Sequence, residues 1–274
     1  MMSQPPIISL KSVTFGYPDV RSLALDGVSL EVAAGEFVAV AGANGSGKST
    51  LARLFNGLLL PGAGNVLIDG KNTKDRENLN HIRETVAMVF QNPESQIVAA
   101  TVGDDIAFGL ENLGLPAEQI GLRVQAAARR FGLAGLLDRE PHWLSGGQKQ
   151  RTVLAGAVAM EPRVLVLDEP ASMLDPCSRK EFMALVRDLW QDGTTVVYLS
   201  HDMDEVARAP RMIALSEGKV SFDGDPHDFF SREGLMAEAN LRPPLAVRLS
   251  RFLASAGSKP PALTLAELVK RACA

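Results

Sequence analysis

Cysteine is scarce: Cys177 and Cys273 are the two in 274 residues, far apart and with no His or Cys nearby at metal-ligand spacing. A disulfide framework or a cysteine metal site is thereby excluded, and two free thiols suit a reducing cytosol. Long apolar runs are missing as well. Stretches such as Val164 to Leu167 or Leu58 to Leu60 stop far short of the ~18 residues a helix needs to cross lipid. Any membrane role is therefore expected to be peripheral. The start, Met1 to Pro6, lacks a charged stretch followed by an apolar one, and no secretory signal is expected there. Basic blocks are absent too: the formal net charge is -4, with charges scattered along the chain. A duplex needs a cationic face to release counterions, so nucleic acid is not expected as a partner. There is no internal repeat and no low-complexity tract.

What is present is ample apolar content, 46% of the chain, enough to bury a full core in one large domain or one domain with an appendage. Ile8, Leu10, Val13 and Phe15, then Val28, Leu30 and Val32, alternate as half-buried antiparallel strands do. Phe37 to Ala41, Val86 to Phe90, Val164 to Leu167 and Val196 to Leu199 are continuously apolar, the pattern of parallel strands covered on both faces. Each of these ends on a residue of chemical interest: Gly42, Gln91, Asp168 and His201. Ligands of open parallel sheets sit beyond the carboxyl ends of the strands. Between Thr101 and Met160 strand signals vanish, and Ile120, Val124, Ala127, Ala128 and Phe131 recur at helical spacing, which predicts an inserted helical subdomain. Met212 to Phe222 predicts a closing hairpin turned at Glu217-Gly218. From Asp225 onward the pattern turns helical, broken at Pro243-Pro244 and Pro260-Pro261.

Gly42-Ala43-Asn44-Gly45-Ser46-Gly47-Lys48-Ser49 matches G-x-x-x-x-G-K-[ST], placed after a buried strand and before the helical pattern of Leu51, Leu54 and Phe55. Glycines let the backbone curl so that its N–H groups face phosphate oxygens, and the helix N-terminus adds positive potential. Lys48 supplies charge to the outer phosphates, Ser49 is the expected Mg²⁺ ligand, and Thr50 continues the nucleotide-binding stretch. The strand Val164 to Leu167 delivers Asp168 and Glu169, the first to hold Mg²⁺ and the second to polarise the attacking water. Gln91 is expected to touch Mg²⁺ or that water, and His201, beside Asp202, to hydrogen-bond the γ-phosphate. A second anion site lies at Leu144-Ser145-Gly146-Gly147-Gln148, with Ser145 at an N-cap. One chain offering two such sites suggests a two-fold dimer in which this turn closes over the partner's nucleotide.

These residues resemble the ABC ATPase set over about Ile7 to Gly224. The resemblance makes Gly42 to Ser49 the Walker A motif and centres the Q-loop on Gln91. It makes Leu144 to Gln148 the signature, Asp168-Glu169 the end of Walker B, Ser172 to Asp175 the D-loop and His201 the H-loop. It also gives Tyr17 the role of stacking on adenine, where the pattern alone reads as a turn. The implied fold class is α/β, a P-loop NTPase with a mostly parallel core sheet, an antiparallel β subdomain, an inserted helical subdomain near residues 95–160, and a small helical extension over 225–274. Within the family, Gln91 to Gln96 followed by Ala100 to Asn112 resembles the ATPases of energy-coupling factor (ECF) transporters, cobalt and nickel ones included. In those proteins this segment lies beneath the groove that receives the membrane subunit, and Gln96 matches its second glutamine.

The resemblance implies an enzyme that binds ATP and Mg²⁺ and powers uptake of a vitamin or transition-metal ion. Its partners would be an ECF-type transmembrane coupling subunit and a substrate-binding membrane subunit, with the chain at the cytoplasmic face of the cell membrane. It would pair as a homodimer or with a second ABC ATPase; the Ser172-Met173-Leu174-Asp175 loop favours the heterodimer, and the extension would serve dimerisation. The alternatives are the ATPase of a dedicated cobalt or nickel importer, a soluble ABC protein acting on ribosomes or DNA, and a nucleotide sensor without turnover.

Overall fold

The computed structural model describes residues 5–253 and 261–273, the side chain of residue 272 aside. Met1 to Gln4 of the chain start, Pro260 of the expected break, and residues 254–260 and 274 of the expected extension lie outside the described residues. The chain opens with strands β1 (Ile8–Phe15), β2 (Leu25–Val32) and β3 (Phe37–Gly42), then α1 (Lys48–Phe55), β4 (Ala63–Ile68) and β5 (Lys71–Asn72). Next come α2 (Leu79–Thr85), β6 (Val86–Val89), α3 (Val102–Asn112), α4 (Ala117–Arg130), α5 (Gly146–Ala159), β7 (Val164–Asp168) and α6 (Pro176–Gln191). The remainder is β8 (Thr195–Ser200), α7 (Met203–Val206), β9 (Arg211–Ser216), β10 (Lys219–Gly224), α8 (Pro226–Ser231), α9 (Glu233–Glu238), α10 (Leu245–Leu253) and α11 (Leu265–Ala272). Two compact units share these elements. The first holds Ala33–Glu36 and Asp75–Val196; the second holds Pro6–Val32, Phe37–Lys74 and the chain from Val197 on.

In the first unit, β6 and β7 run parallel with Met88 opposite Val166, and every residue of both strands is buried. Continuous burial is why their sequences are unbroken apolar runs. Helices α3, α4 and α5 supply the helical layer that the 3.6-residue spacing predicts. Ile106 and Leu110 of α3, Val124 and Ala128 of α4, and Val153 and Leu154 of α5 face inward, with Phe131 buried just past α4. Each fully buried Val, Leu, Ile or Phe contributes roughly 1.5–3 kcal/mol relative to an exposed one. The α3 helix lies so close to the end of α5 that a Cβ on Gly109 would come within 2.7 Å of Met160 Sδ. Asp175 caps α6, its Oδ1 accepting from the N–H groups of Cys177 and Ser178, both at 3.0 Å. The Ser178 hydroxyl and N–H together hold the Asp175 carboxyl below the usual carboxylate range.

The second unit carries a four-stranded antiparallel sheet in the order β2-β1-β4-β5. Leu10 lies opposite both Leu30 and Val66, so three apolar side chains share one face of the pleat. The other strands of this unit follow the order β10-β9-β3-β8. There β3 runs parallel to β9, with Val40 opposite Ile213, and β10 returns antiparallel along β9. Glu217 (φ 47°) and Gly218 (φ 76°) turn that hairpin, both with the positive φ that a two-residue type I′ loop demands. Beyond Asp225 the described chain is helical. Phe229, on α8, meets Phe222 of β10 at a ring-centroid distance of 5.1 Å, and Arg251 of α10 donates to the Phe230 carbonyl at 2.7 Å. Among the described residues no helix is long and apolar enough to cross a membrane.

Candidate functional site

The expected site residues divide between the units. Tyr17, the 42–50 loop and His201 belong to the second; Gln91, Asp168, Glu169 and Ser145 to Gln148 belong to the first.

In the second unit, β3 ends at Gly42 and the chain turns through the loop into α1. Gly47 sits at the N-cap with φ 104°, and a Cβ there would come within 2.4 Å of the Ala24 carbonyl oxygen. Only glycine lets the loop pass this close to the residue just before β2. Having no side chain, Gly47 offers no cap to the first-turn N–H groups of α1, and the sequence adds no acidic residue there to offset their positive potential. Lys48 is buried, its ammonium donating to the carbonyls of Gly42 (2.8 Å) and Ala43 (3.2 Å). Ser46 Oγ is buried without a hydrogen-bond partner, a hydroxyl for which a phosphate oxygen would supply the missing acceptor. Asn44, Gly45 and Ser49 are exposed, Ala43 is half-buried, and Thr50 lies beneath the loop. Tyr17 and Thr50 share a hydrogen bond of 3.2 Å between their hydroxyls, which places the aromatic ring beside the loop's helix. Phe15 braces that ring edge-on at 5.0 Å. The loop is also held from late in the chain: the Gly218 N–H donates to the Ser46 carbonyl at 3.2 Å, and the Asp26 N–H donates to the Gly218 carbonyl at 2.9 Å.

His201, exposed, follows the fully buried strand β8. Around it runs a network that the motif does not announce. Glu205 Oε2 accepts from the Tyr198 hydroxyl at 2.7 Å and from the Ser200 hydroxyl at 2.9 Å. Ser200 Oγ in turn accepts from the Asp202 N–H at 3.0 Å. The spacing from Asp202 to Glu205 is the sequence sign of a capping box, yet this glutamate reaches Tyr198 and Ser200 instead. Asp202 caps the helix through its second residue, Oδ1 accepting from the Asp204 N–H at 2.9 Å.

In the first unit, β7 delivers Asp168, buried, and Glu169, half-buried with φ 50°. A left-handed glutamate at a strand end is a sparsely populated conformation, and Ser172 fastens it: its N–H and hydroxyl both donate to the Glu169 carbonyl, at 3.2 and 2.9 Å. The same hydroxyl accepts from Gln91 Nε2 at 3.4 Å. Gln91 and the backbone of Glu169 are thus joined through one serine. The segment after Gln91 is pinned by Gln96, whose Oε1 accepts from the Phe90 N–H (3.0 Å) and whose Nε2 donates to the Met88 carbonyl (2.9 Å).

The Ser145 turn has the N-cap geometry its sequence predicts. Ser145 Oγ accepts from the Gln148 N–H at 3.3 Å and Gln148 Oε1 from the Ser145 N–H at 2.9 Å, a complete capping box. Ser145 and Gly146 are exposed, Gly147 half-buried, and the Gln148 side chain is engaged within its own turn. A Cβ on Gly147 would come within 2.8 Å of Ser178 Oγ, so the turn approaches the start of α6 closely.

A family profile described as "ABC transporter" matches residues 25–172. The chain is 51% identical to the energy-coupling factor transporter ATP-binding protein EcfA1 of Symbiobacterium thermophilum, over 98% of this chain and 97% of that protein. Among solved structures it is similar to CbiO1 of Clostridium perfringens, described as part of the ABC transporter complex CbiONQ. The TM-score is 0.76 at 37% identity, covering 87% of this chain and 96% of that one. It is also similar to the ATP-binding cassette MJ0796, a dimer in a post-hydrolysis state bound to ADP and Pi. There the TM-score is 0.73 at 31% identity, covering 80% of this chain and 98% of that one.

Proposed function

The chain belongs to the ABC transporter ATP-binding family, and from that premise we propose that it is the ATP-hydrolysing subunit of an ECF-type importer for a vitamin or transition-metal ion. One observation carries the subgroup: similarity to an ECF ATP-binding protein spans 98% of this chain, well past the residues the general family profile matches. The tail beyond Gly224 and the Gln91 to Asn112 segment are therefore part of the likeness.

In this reading the 42–50 loop cradles the phosphates, Lys48 neutralises their outer charge, and Tyr17 stacks on the adenine. Glu169 polarises the attacking water and His201 hydrogen-bonds the γ-phosphate. Ser49, Gln91 and Asp168 present a hydroxyl, an amide oxygen and a single carboxylate. That all-oxygen set suits Mg²⁺, which keeps several waters and takes its remaining ligands from substrate phosphates. When bound, Mg²⁺ would neutralise charge on the phosphates. Ser145 to Gln148 serve the nucleotide held by a partner ATPase, whether a second copy or an unlike one. Phe252 of α10 and Val269 of α11, 86% and 61% exposed, leave the extension apolar surface for dimerisation. The chain then works peripherally at the cytoplasmic face of the membrane, bound to a transmembrane coupling subunit and a substrate-binding subunit. ATP binding closes the pair of ATPases and hydrolysis reopens it, moving the membrane partners.

The test is reconstitution. Purified with its membrane partners, the chain should hydrolyse ATP and Glu169→Gln should not; equal rates for the two would end the reading. A second reading, a dedicated cobalt or nickel importer, is favoured by the similarity to CbiO1. Purification under native conditions separates them: a second, unlike ATPase in the complex supports a shared ECF module, and two identical copies support the dedicated one.

A further inference from the structure

We propose that Glu205 is a positioning residue for His201, fixing the backbone on both sides of it from a single carboxylate oxygen. The proposal rests on the role of His201 in the reading above. Tyr198 and Ser200 lie two residues apart on β8 and so project to the same side of the strand. Both donate their hydroxyl protons to Glu205 Oε2. With its proton committed there, Ser200 Oγ is left as an acceptor and takes the Asp202 N–H. The residue before His201 is thereby held directly by Glu205, and the residue after it through Ser200.

The anchor beneath is buried. Tyr198 is 1% exposed, and its ring packs against Phe37 of β3 at a centroid distance of 6.4 Å. Strand β3 is the one that runs into the phosphate loop. His201 itself is exposed and reaches solvent from the end of a buried strand, so its aim depends on the turn that carries it. That turn is set by α7, whose four residues are too few for a helix to be stable by its own hydrogen bonds. Two charge-assisted hydrogen bonds, accepted by a single carboxylate oxygen, restrain this loop.

The experiment is a kinetic double-mutant comparison in the reconstituted transporter, with wild type and Glu169→Gln as references. Glu205→Ala should lower kcat for ATP by roughly tenfold to a hundredfold, the scale of a misplaced catalytic group, with KM and ATP affinity within about twofold of wild type. In the His201→Ala background the same substitution should lower kcat no further. Glu205→Gln, whose Oε1 can accept both hydroxyls, should restore most of the rate. Ser200→Ala leaves the Glu205 carboxylate bonded to Tyr198 and should reproduce the kcat loss; it carries the test if Glu205→Ala does not fold. Wild-type turnover in Ser200→Ala or in Glu205→Ala would overturn the proposal, as would a full additional loss in the His201→Ala background. A wild-type rate in His201→Ala would overturn it too. The difference between wild type and Glu169→Gln would then still establish hydrolysis, so the two readings fail separately.

Discussion

Lys149 Nζ donates to Glu94 Oε1 at 2.5 Å, so the helix that begins at the Ser145 turn is tied to the segment that follows Gln91. Hydrogen bonding from Lys149, and then its charge, hold the Glu94 carboxyl below its usual range. A carboxyl depressed in the folded protein contributes above its unfolded pKa of about 4.3 and is lost as the pH falls through the lower folded value. The tie is therefore intact throughout the neutral range. Glu94 is open to solvent, so Glu94→Gln and Lys149→Met should leave the melting temperature nearly unchanged. Each should slow ATP turnover in the assembled transporter several-fold, and the double variant should be no slower than either single one. Additive losses in steady-state assays would show that the two residues act separately.

Lys48→Ala removes the one ammonium buried in the phosphate loop. ATP affinity should fall roughly 10- to 100-fold, the worth of a hydrogen bond to a charged group. Equilibrium binding of a fluorescent ATP analogue measures this, and unchanged affinity would contradict the cradle.

Gly47→Ala sets a side chain on a residue with φ 104° and against the Ala24 carbonyl. The backbone conformation alone costs roughly 1–2 kcal/mol, and the overlap adds to it. Calorimetry should show the melting temperature lowered by about 4 °C or more, with ATP binding weakened in parallel.

Glu169→Gln keeps shape and loses the base. Turnover should fall by on the order of 10²- to 10⁴-fold, and in excess ATP the variant should elute from size exclusion as a larger, closed dimer. A variant that stayed monomeric while hydrolysing at the normal rate would remove Glu169 from the chemistry.

Ser145→Arg disrupts the turn proposed to serve the partner's nucleotide. ATP binding to the isolated chain should stay within about twofold, because Lys48 and its loop are untouched, while turnover is lost. Retained turnover in the ATPase assay would argue against a shared site.

The loop from Gly42 to Ser49 was legible because its chemistry is local: glycines, lysine and serine at fixed spacing between a strand and a helix. The buried strands were legible for the same reason, and so was the Glu217-Gly218 turn, where two adjacent residues carry the geometry. Strand β4 was not, because Ala63-Gly64-Asn65 has neither alternation nor β-branched residues. This half of the strand is set by pairing with β1, where Asn65 lies opposite Lys11. The Glu205 network escaped for a similar reason. Nothing in the letters says that a glutamate three residues past a cap will turn away from it toward Tyr198 and Ser200. The Ser145-x-x-Gln148 spacing, by contrast, is a capping-box signature, and the two side chains form that box.

The bond from Gly218 to Ser46 has a consequence for synthesis. The phosphate loop emerges from the ribosome early, yet the hairpin turn that braces its backbone is made long afterwards. A chain growing from its N-terminus carries the full nucleotide motif without that support until the hairpin has been made. A fragment interrupted before residue 218 would hold the right letters in a loop without its brace.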